Sequence, residues 1–192
     1  MPGAFADIVT RTLASSARAH EDARSAAVPA AEAAEAMIAA LRRGGRILAC
    51  GNGGSAADAA HFAAELVGRF EQDRRGLAAI ALSSDASVVT AVGNDYGFDR
   101  IFARQVDALG APGDVLLGIT TSGSSLNVVH AISAAKAGGL TAVALTGRDG
   151  GAAGATADIH INVPGTRTAR VQEVHRTLLH AICEIVEREM YA

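Results

Sequence analysis

Five short apolar runs, separated by stretches of helical character, constrain this chain more than any other feature of its sequence. They are Arg46-Ile-Leu-Ala-Cys50, Ala78-Ala-Ile-Ala-Leu82, Val115-Leu-Leu-Gly-Ile119, Thr141-Ala-Val-Ala-Leu145 and Ile159-His-Ile-Asn-Val163. Continuous apolar runs suit strands covered on both faces, as in a parallel sheet flanked by helices. Helices are expected near 56–68, 84–92, 99–109 and 125–138, with a closing helix over about 168–190. This alternation predicts an α/β fold with a five-stranded, doubly wound parallel sheet. Ahead of it, an Ala-rich amphipathic helix is expected over 5–28 and broken at Pro29. A second runs over 30–43 and is stopped by Gly44-Gly45. The expected organisation is one domain over 1–192, with 1–43 as N-terminal helices and 44–192 as the core.

Charge and composition exclude several classes of partner. A net charge of −3 leaves no basic footprint for nucleic acid, and with 4% aromatic residues and no Trp there is little to stack bases on. No segment approaches the roughly 20 apolar residues that span a bilayer. Asp7, Arg11, Arg18, Glu21, Asp22 and Arg24 interrupt any signal-peptide core near the N-terminus. Cys50 and Cys183 are too few for a disulfide framework, and both read as buried thiols. A soluble, cytoplasmic protein is expected.

In a doubly wound sheet, ligands bind beyond the carboxyl ends of the strands, where the strand order reverses. The first such end carries Gly51-Asn52-Gly53-Gly54-Ser55-Ala56 and opens a helix, a setting in which free N–H groups favour anions. The spacing also fits a loose dinucleotide fingerprint. That reading needs an acidic residue at the end of the second strand, where Ser83-Ser84 stand, and there is no Walker lysine. The third run passes into Thr120-Thr121-Ser122-Gly123-Ser124-Ser125, five hydroxyls around one glycine. One of them is accounted for as a helix cap; together with backbone N–H groups and the helix dipole, the set can hold a phosphate without lysine.

The helix after the glycine loop carries His61 and Glu65, four residues apart and therefore on one face. Such a pair can share a metal ion or act as base and orienting partner. The last helix offers Gln172, Glu173, His175 and His180. Gln172 and His180 are separated by roughly 12 Å of axial rise, too far for one ion on a straight helix. Either Gln172 lies in a distorted first turn or the two come from different subunits. His20, His130, His160 and His175 read as ordinary helix, strand or surface residues.

Several long strings in fixed order resemble the bacterial phosphoheptose isomerase family of sugar-isomerase (SIS) domains. They are Gly51-Asn-Gly-Gly-Ser-Ala-Ala-Asp-Ala-Ala-His61-Phe-Ala-Ala-Glu65-Leu, Val92-Gly-Asn94-Asp95-Tyr-Gly-Phe, Thr120-Thr-Ser-Gly-Ser-Ser125, Thr146-Gly-Arg-Asp-Gly-Gly151 and Thr168-Ala-Arg-Val-Gln172-Glu-Val-His. The resemblance implies a flavodoxin-like SIS domain with an N-terminal helical pair, assembled as a homotetramer with active sites between subunits. It implies conversion of sedoheptulose 7-phosphate to D-glycero-D-manno-heptose 7-phosphate, in nucleotide-activated heptose biosynthesis. It implies one zinc ion per subunit held by His61, Glu65, Gln172 and His180. Sugar contacts fall to Asn52, Gly53, Gly54, Ser55, Asn94 and Asp95, with Glu65 and Gln172 also on the substrate, and phosphate contacts to Thr120, Thr121, Ser122 and Ser125. The chain departs from the commonest family pattern at Thr120, Ser124 and Ala169.

The chemistry expected on this basis is proton transfer through a cis-enediol, with Glu65 as general base and His180 as its partner acid. Two other readings stand beside it. One is a non-catalytic SIS protein that binds a sugar phosphate or associates with a replication initiator; the other is an aldose–ketose isomerase or sugar-phosphate regulator of different carbon number.

Overall fold

The computed structural model describes residues 2–191. In chain order the elements are α1 (Pro2–Asp22), α2 (Ala27–Arg42), β1 (Ile47–Gly51), α3 (Gly54–Val67), β2 (Ala79–Ala81), α4 (Ala86–Tyr96), α5 (Ala103–Leu109), β3 (Val115–Thr120), α6 (Leu126–Ala137), β4 (Thr141–Gly147), α7 (Gly151–Thr156), β5 (Ile159–Val163) and α8 (Thr168–Tyr191). The five strands pair in parallel in the order β2-β1-β3-β4-β5. This is the flavodoxin-like order, with its reversal between β1 and β3.

The apolar runs form strands because both faces of each are covered. In β1, Ile47 and Ala49 face a core shared with α2, α3 and α8, while Leu48 and Cys50 face one shared with α5 and α6. Burial pushes the thiols of Cys50 and Cys183 up to about 12, so both stay protonated. α1 lies outside this double layer; its C-terminal end packs on α8 through Ala19, Ala23, Val174 and Leu178. No helix among the described residues is long and apolar enough to cross a membrane.

Four expectations about the elements change. The first helix breaks at 23–26 rather than at Pro29, and Pro29 sits in the first turn of α2, where its missing N–H leaves no hydrogen bond unmade. The helix expected at 84–92 runs on to Tyr96. The one expected at 99–109 is divided into a 3-10 turn at Phe98–Arg100 and α5. α7 has no counterpart in the sequence reading, because Gly150, Gly151 and Gly154 argue against a helix. A β-carbon at Gly150 or Gly154 would stand within 2.2–2.4 Å of the His160 ring, so packing requires the glycines that propensity disfavours.

Two buried ionisable side chains tie α8 to the rest. His175 is wholly buried, its Nε2 donating to the Thr146 carbonyl at 2.9 Å, while its Nδ1 has no partner. Burial lowers its pKa, against the opposing pull of that bond and of Asp58. For Glu187, burial works to raise the pKa, but the N–H groups of Gln72, Glu71 and Phe70 and the Arg74 guanidinium prevail and hold it below the usual carboxylate range. Both folded-state values are depressed, so both groups contribute stability at neutral pH that is lost on acidification. Urea midpoints are expected to fall as pH drops below the ordinary histidine value of 6.5, and again below the ordinary glutamate value of 4.5. His175→Gln should shrink the first phase, to which His160, also lowered by burial, contributes as well; an unchanged phase would mean that His175 carries none of it.

Candidate active site

α3 and α8 lie side by side and run in the same direction, as their facing residues show. Gly54 meets Gln172, Asp58 pairs with Arg176, and His61 meets His180. A β-carbon at Gly54 would stand 2.5 Å from the Gln172 amide nitrogen, so this glycine makes room for that side chain. A cleft of about 640 Å³ opens along the seam, lined by Gly54, Asp58, Gln172, Arg176 and His180, with His20 of α1 at its edge.

At the far end of the seam three candidate residues come together. His61 Nε2 lies 2.8 Å from His180 Nε2 and 3.4 Å from Glu65 Oε1, with the Glu65 side chain only 22% exposed. Phe70 packs on His180, ring centroids 5.7 Å apart. Two ring nitrogens at 2.8 Å are compatible only if one carries the hydrogen, or if both lone pairs are drawn to a common cation. Nitrogen and carboxylate donors suit zinc, yet two nitrogens on one tetrahedral zinc stand about 3.3 Å apart. Among the described residues no group of three His, Cys, Asp or Glu is already arranged to hold a metal. The donor types therefore fit the ion, and the imidazoles must part by about half an ångström to receive it.

Gln172 is not part of this cluster within one chain. α8 is continuous from Thr168, so Gln172 lies in a regular turn and the distorted-turn expectation fails. Its amide rests over Gly54, while His180 meets His61 two turns further along both helices.

The hydroxyl loop forms a second centre. Thr120 Oγ1 lies 3.0 Å from Ser125 Oγ and 3.3 Å from Ser122 Oγ, and Ser122 Oγ accepts from the Ser124 hydroxyl and N–H. Ser125 occupies the cap position of α6 without bonding its backbone, so capping does not account for that hydroxyl. Gly123 has φ +70°, and a β-carbon there would stand 2.2 Å from the Gly150 carbonyl. Asn94 and Asp95 lie exposed in the last turn of α4, bonded to each other at 2.8 Å. Asp85, just past Ser83-Ser84, caps α4 by accepting from the Ser87 and Val88 N–H groups through Oδ1.

The two centres are separate within one chain. His61 and Glu65 stand roughly 10 and 16 Å along α3 from Gly54. They also lie on the face shared with α2 and α8, while the hydroxyl loop feeds α6 on the opposite face.

Asn127 went unnoticed in the sequence. It is 2% exposed and exchanges two amide bonds with Asn52, at 2.8 and 2.9 Å, which fastens the glycine loop to the start of α6. An Asn in the first turn of the otherwise apolar Leu126-Asn-Val-Val was the available signal. Asn127→Ala leaves the Asn52 amide without its partner and is expected to cost about 1–3 kcal/mol in urea unfolding. An unchanged unfolding curve would show that the amide pair contributes nothing.

Residues 11–147 match the family model described as SIS domain. A phosphoheptose isomerase of Methylibium petroleiphilum is 58% identical over 84% of this chain and 82% of its own length. The solved phosphoheptose isomerase of Neisseria gonorrhoeae superposes with a TM-score of 0.91 at 49% identity, covering 96% of this chain and 99% of that one. That of Francisella tularensis gives 0.90 at 42% identity, covering 95% and 97%. With this fold and these identities, the chain belongs to the phosphoheptose isomerase family of SIS-domain proteins.

Proposed function

We propose that the protein isomerises sedoheptulose 7-phosphate to D-glycero-D-manno-heptose 7-phosphate, in the biosynthesis of nucleotide-activated heptose. The observation that carries this reading is the meeting of Glu65 and His180 at the Nε2 of His61. Glu65 takes a proton from C1 of the ketose and returns it to C2, passing through a cis-enediol. His180 gives a proton to the C2 oxygen as the enediol forms and takes one from the C1 oxygen as the aldehyde appears. His61 orients both partners. Positioned acid–base groups of this kind contribute about 10²–10⁴-fold each. Hydroxyls and N–H groups at Thr120, Thr121, Ser122 and Ser125 hold the phosphate, and the glycine loop with Asn52 and Ser55 borders the sugar.

A zinc ion would be held by His61, Glu65 and His180, with Gln172 of a neighbouring subunit as a fourth donor, and would supply a Lewis acid at the sugar carbonyl. The donor types support this, and the tight imidazole contact is relieved by it.

Two features support a homotetramer with active sites between subunits. The phosphate loop and the acid–base cluster of one chain lie on different faces, so one sugar phosphate reaches both most readily across a subunit boundary. In addition, α1 exposes an apolar stripe of Phe5, Ile8, Val9 and Leu13, each more than half exposed, and α4 buries none of its residues. A cytoplasmic setting agrees with two buried, unpaired cysteines.

Purified protein is expected to convert sedoheptulose 7-phosphate, and to lose activity with a chelator if zinc takes part. Glu65→Gln and His180→Gln should each reduce kcat by at least about 10²-fold while sugar-phosphate binding stays measurable. Full activity in either variant removes that residue from the mechanism. Mixed oligomers of Glu65→Gln and Thr120→Val chains should regain activity if one subunit supplies the acid–base cluster and another the phosphate loop. No recovery would place both in one chain.

A further inference from the structure

Beyond the acid–base cluster, the seam between α3 and α8 ends in a buried ion pair of Arg74 and Glu187. Their side chains are 2% and 3% exposed, with Arg74 Nε 2.9 Å from Glu187 Oε1. The last turn of α3 has backbone carbonyls with no partner inside the helix. Arg74 donates to those of Glu65 at 2.8 Å, Leu66 at 2.7 Å and Gly68 at 3.1 Å. A cation at a helix C-terminus also suits the helix dipole. Glu187, in turn, accepts from the N–H groups of Phe70, Glu71 and Gln72 at 2.9–3.1 Å. It stands seven residues after His180 on the same helix, so both point to one face. The Tyr191 ring lies under the guanidinium at 5.8 Å, and its hydroxyl donates to the Arg75 carbonyl at 2.6 Å.

The two side chains hold the two halves of the cluster by different routes. Arg74 fixes the helical turn that carries Glu65. Glu187 fixes the backbone of Phe70, whose ring packs on His180. We infer that Arg74 and Glu187 are positioning residues for the isomerase, setting the Glu65 carboxylate and the His180 imidazole in register without touching the sugar. This rests on the isomerase reading above. A displacement of about 1 Å at reacting groups costs on the order of a hundredfold in rate, so a loosened turn at Glu65 is felt in kcat. The phosphate grip at Thr120–Ser125 is made elsewhere, so KM is spared.

The decisive variant is Arg74→Lys, which keeps the charge but cannot reach the carboxylate and three carbonyls together. It is expected to lower kcat on sedoheptulose 7-phosphate by roughly 10- to 100-fold, with KM within about twofold of wild type. The double variant Arg74→Met with Glu187→Met removes both charges at once, so neither is left buried and unpaired. It should fold with a lowered thermal midpoint, because the backbone groups that the pair satisfied lose their partners, and it should still turn over slowly, because the turn carrying Glu65 remains uncapped. Wild-type kcat in folded Arg74→Lys or in the double variant, or a loss in KM alone, overturns the inference.

A parallel measurement is independent of turnover. In ¹⁵N-histidine-labelled protein, Arg74→Lys should move the ring resonances of His180 and His61 and leave those of His130 in place. Stationary His180 and His61 signals overturn the inference as well. Wild-type protein without activity refutes the isomerase reading instead, and the imidazole signals then decide the positioning role alone.

Discussion

The alignment of α3 with α8 is the contact on which the site depends. Both helices are amphipathic and pack on one face of the sheet, but apolar packing alone fixes neither their direction nor their register. Those are set by polar contacts spaced along the seam: Gln172 over Gly54, Arg176 on Asp58, His180 on His61, and Glu187 on Arg74 and the loop beyond α3. Each would be lost by a slip of one helical turn. The cluster of His61, Glu65 and His180 is therefore a consequence of helix register, held from both ends.

The second dependence is between strands. β1 and β3 are neighbours at the point where strand order reverses, and Gly51 stands opposite Ile119, one residue before the hydroxyl loop begins. The glycine and hydroxyl loops are thus adjacent by sheet topology, and the Asn52–Asn127 amide pair fastens them. Two backbones must come close for this. Gly123 passes against Gly150 at a distance no β-carbon would permit. The sheet organises a rim of glycines and hydroxyls, the helix pair organises the cluster of two imidazoles and a carboxylate, and a single chain leaves them apart.

The outline of the fold was legible because burial on both faces leaves a plain mark: five apolar runs of about five residues each. The breaks were less legible. Pro29 reads as a helix stop, yet a proline in the first turn has no hydrogen bond to break, and the chain turns three residues earlier. α7 was invisible because its glycines answer to the His160 ring, a contact 6 to 10 residues away in sequence. Similarly, Asn127, Arg74 and Glu187 carry no local signal of their partners. Arg74 and Glu187 are 113 residues apart, and each alone looks like a solvated surface charge.

By itself the sequence determined the order of the five strands and of the helices other than α7, the loops bearing glycines and hydroxyls, and the i, i+4 pairing of His61 with Glu65, because these follow from local periodicity and spacing. Tertiary structure decided which groups meet. His180 joins His61, Gln172 of the same chain stays two turns away over Gly54, and Asn94 bonds Asp95 on the exposed end of α4. The physical reason is that convergence depends on helix register, settled by contacts more than a hundred residues apart, and on sheet topology, settled by pairings between separate strands, rather than by any window of the chain.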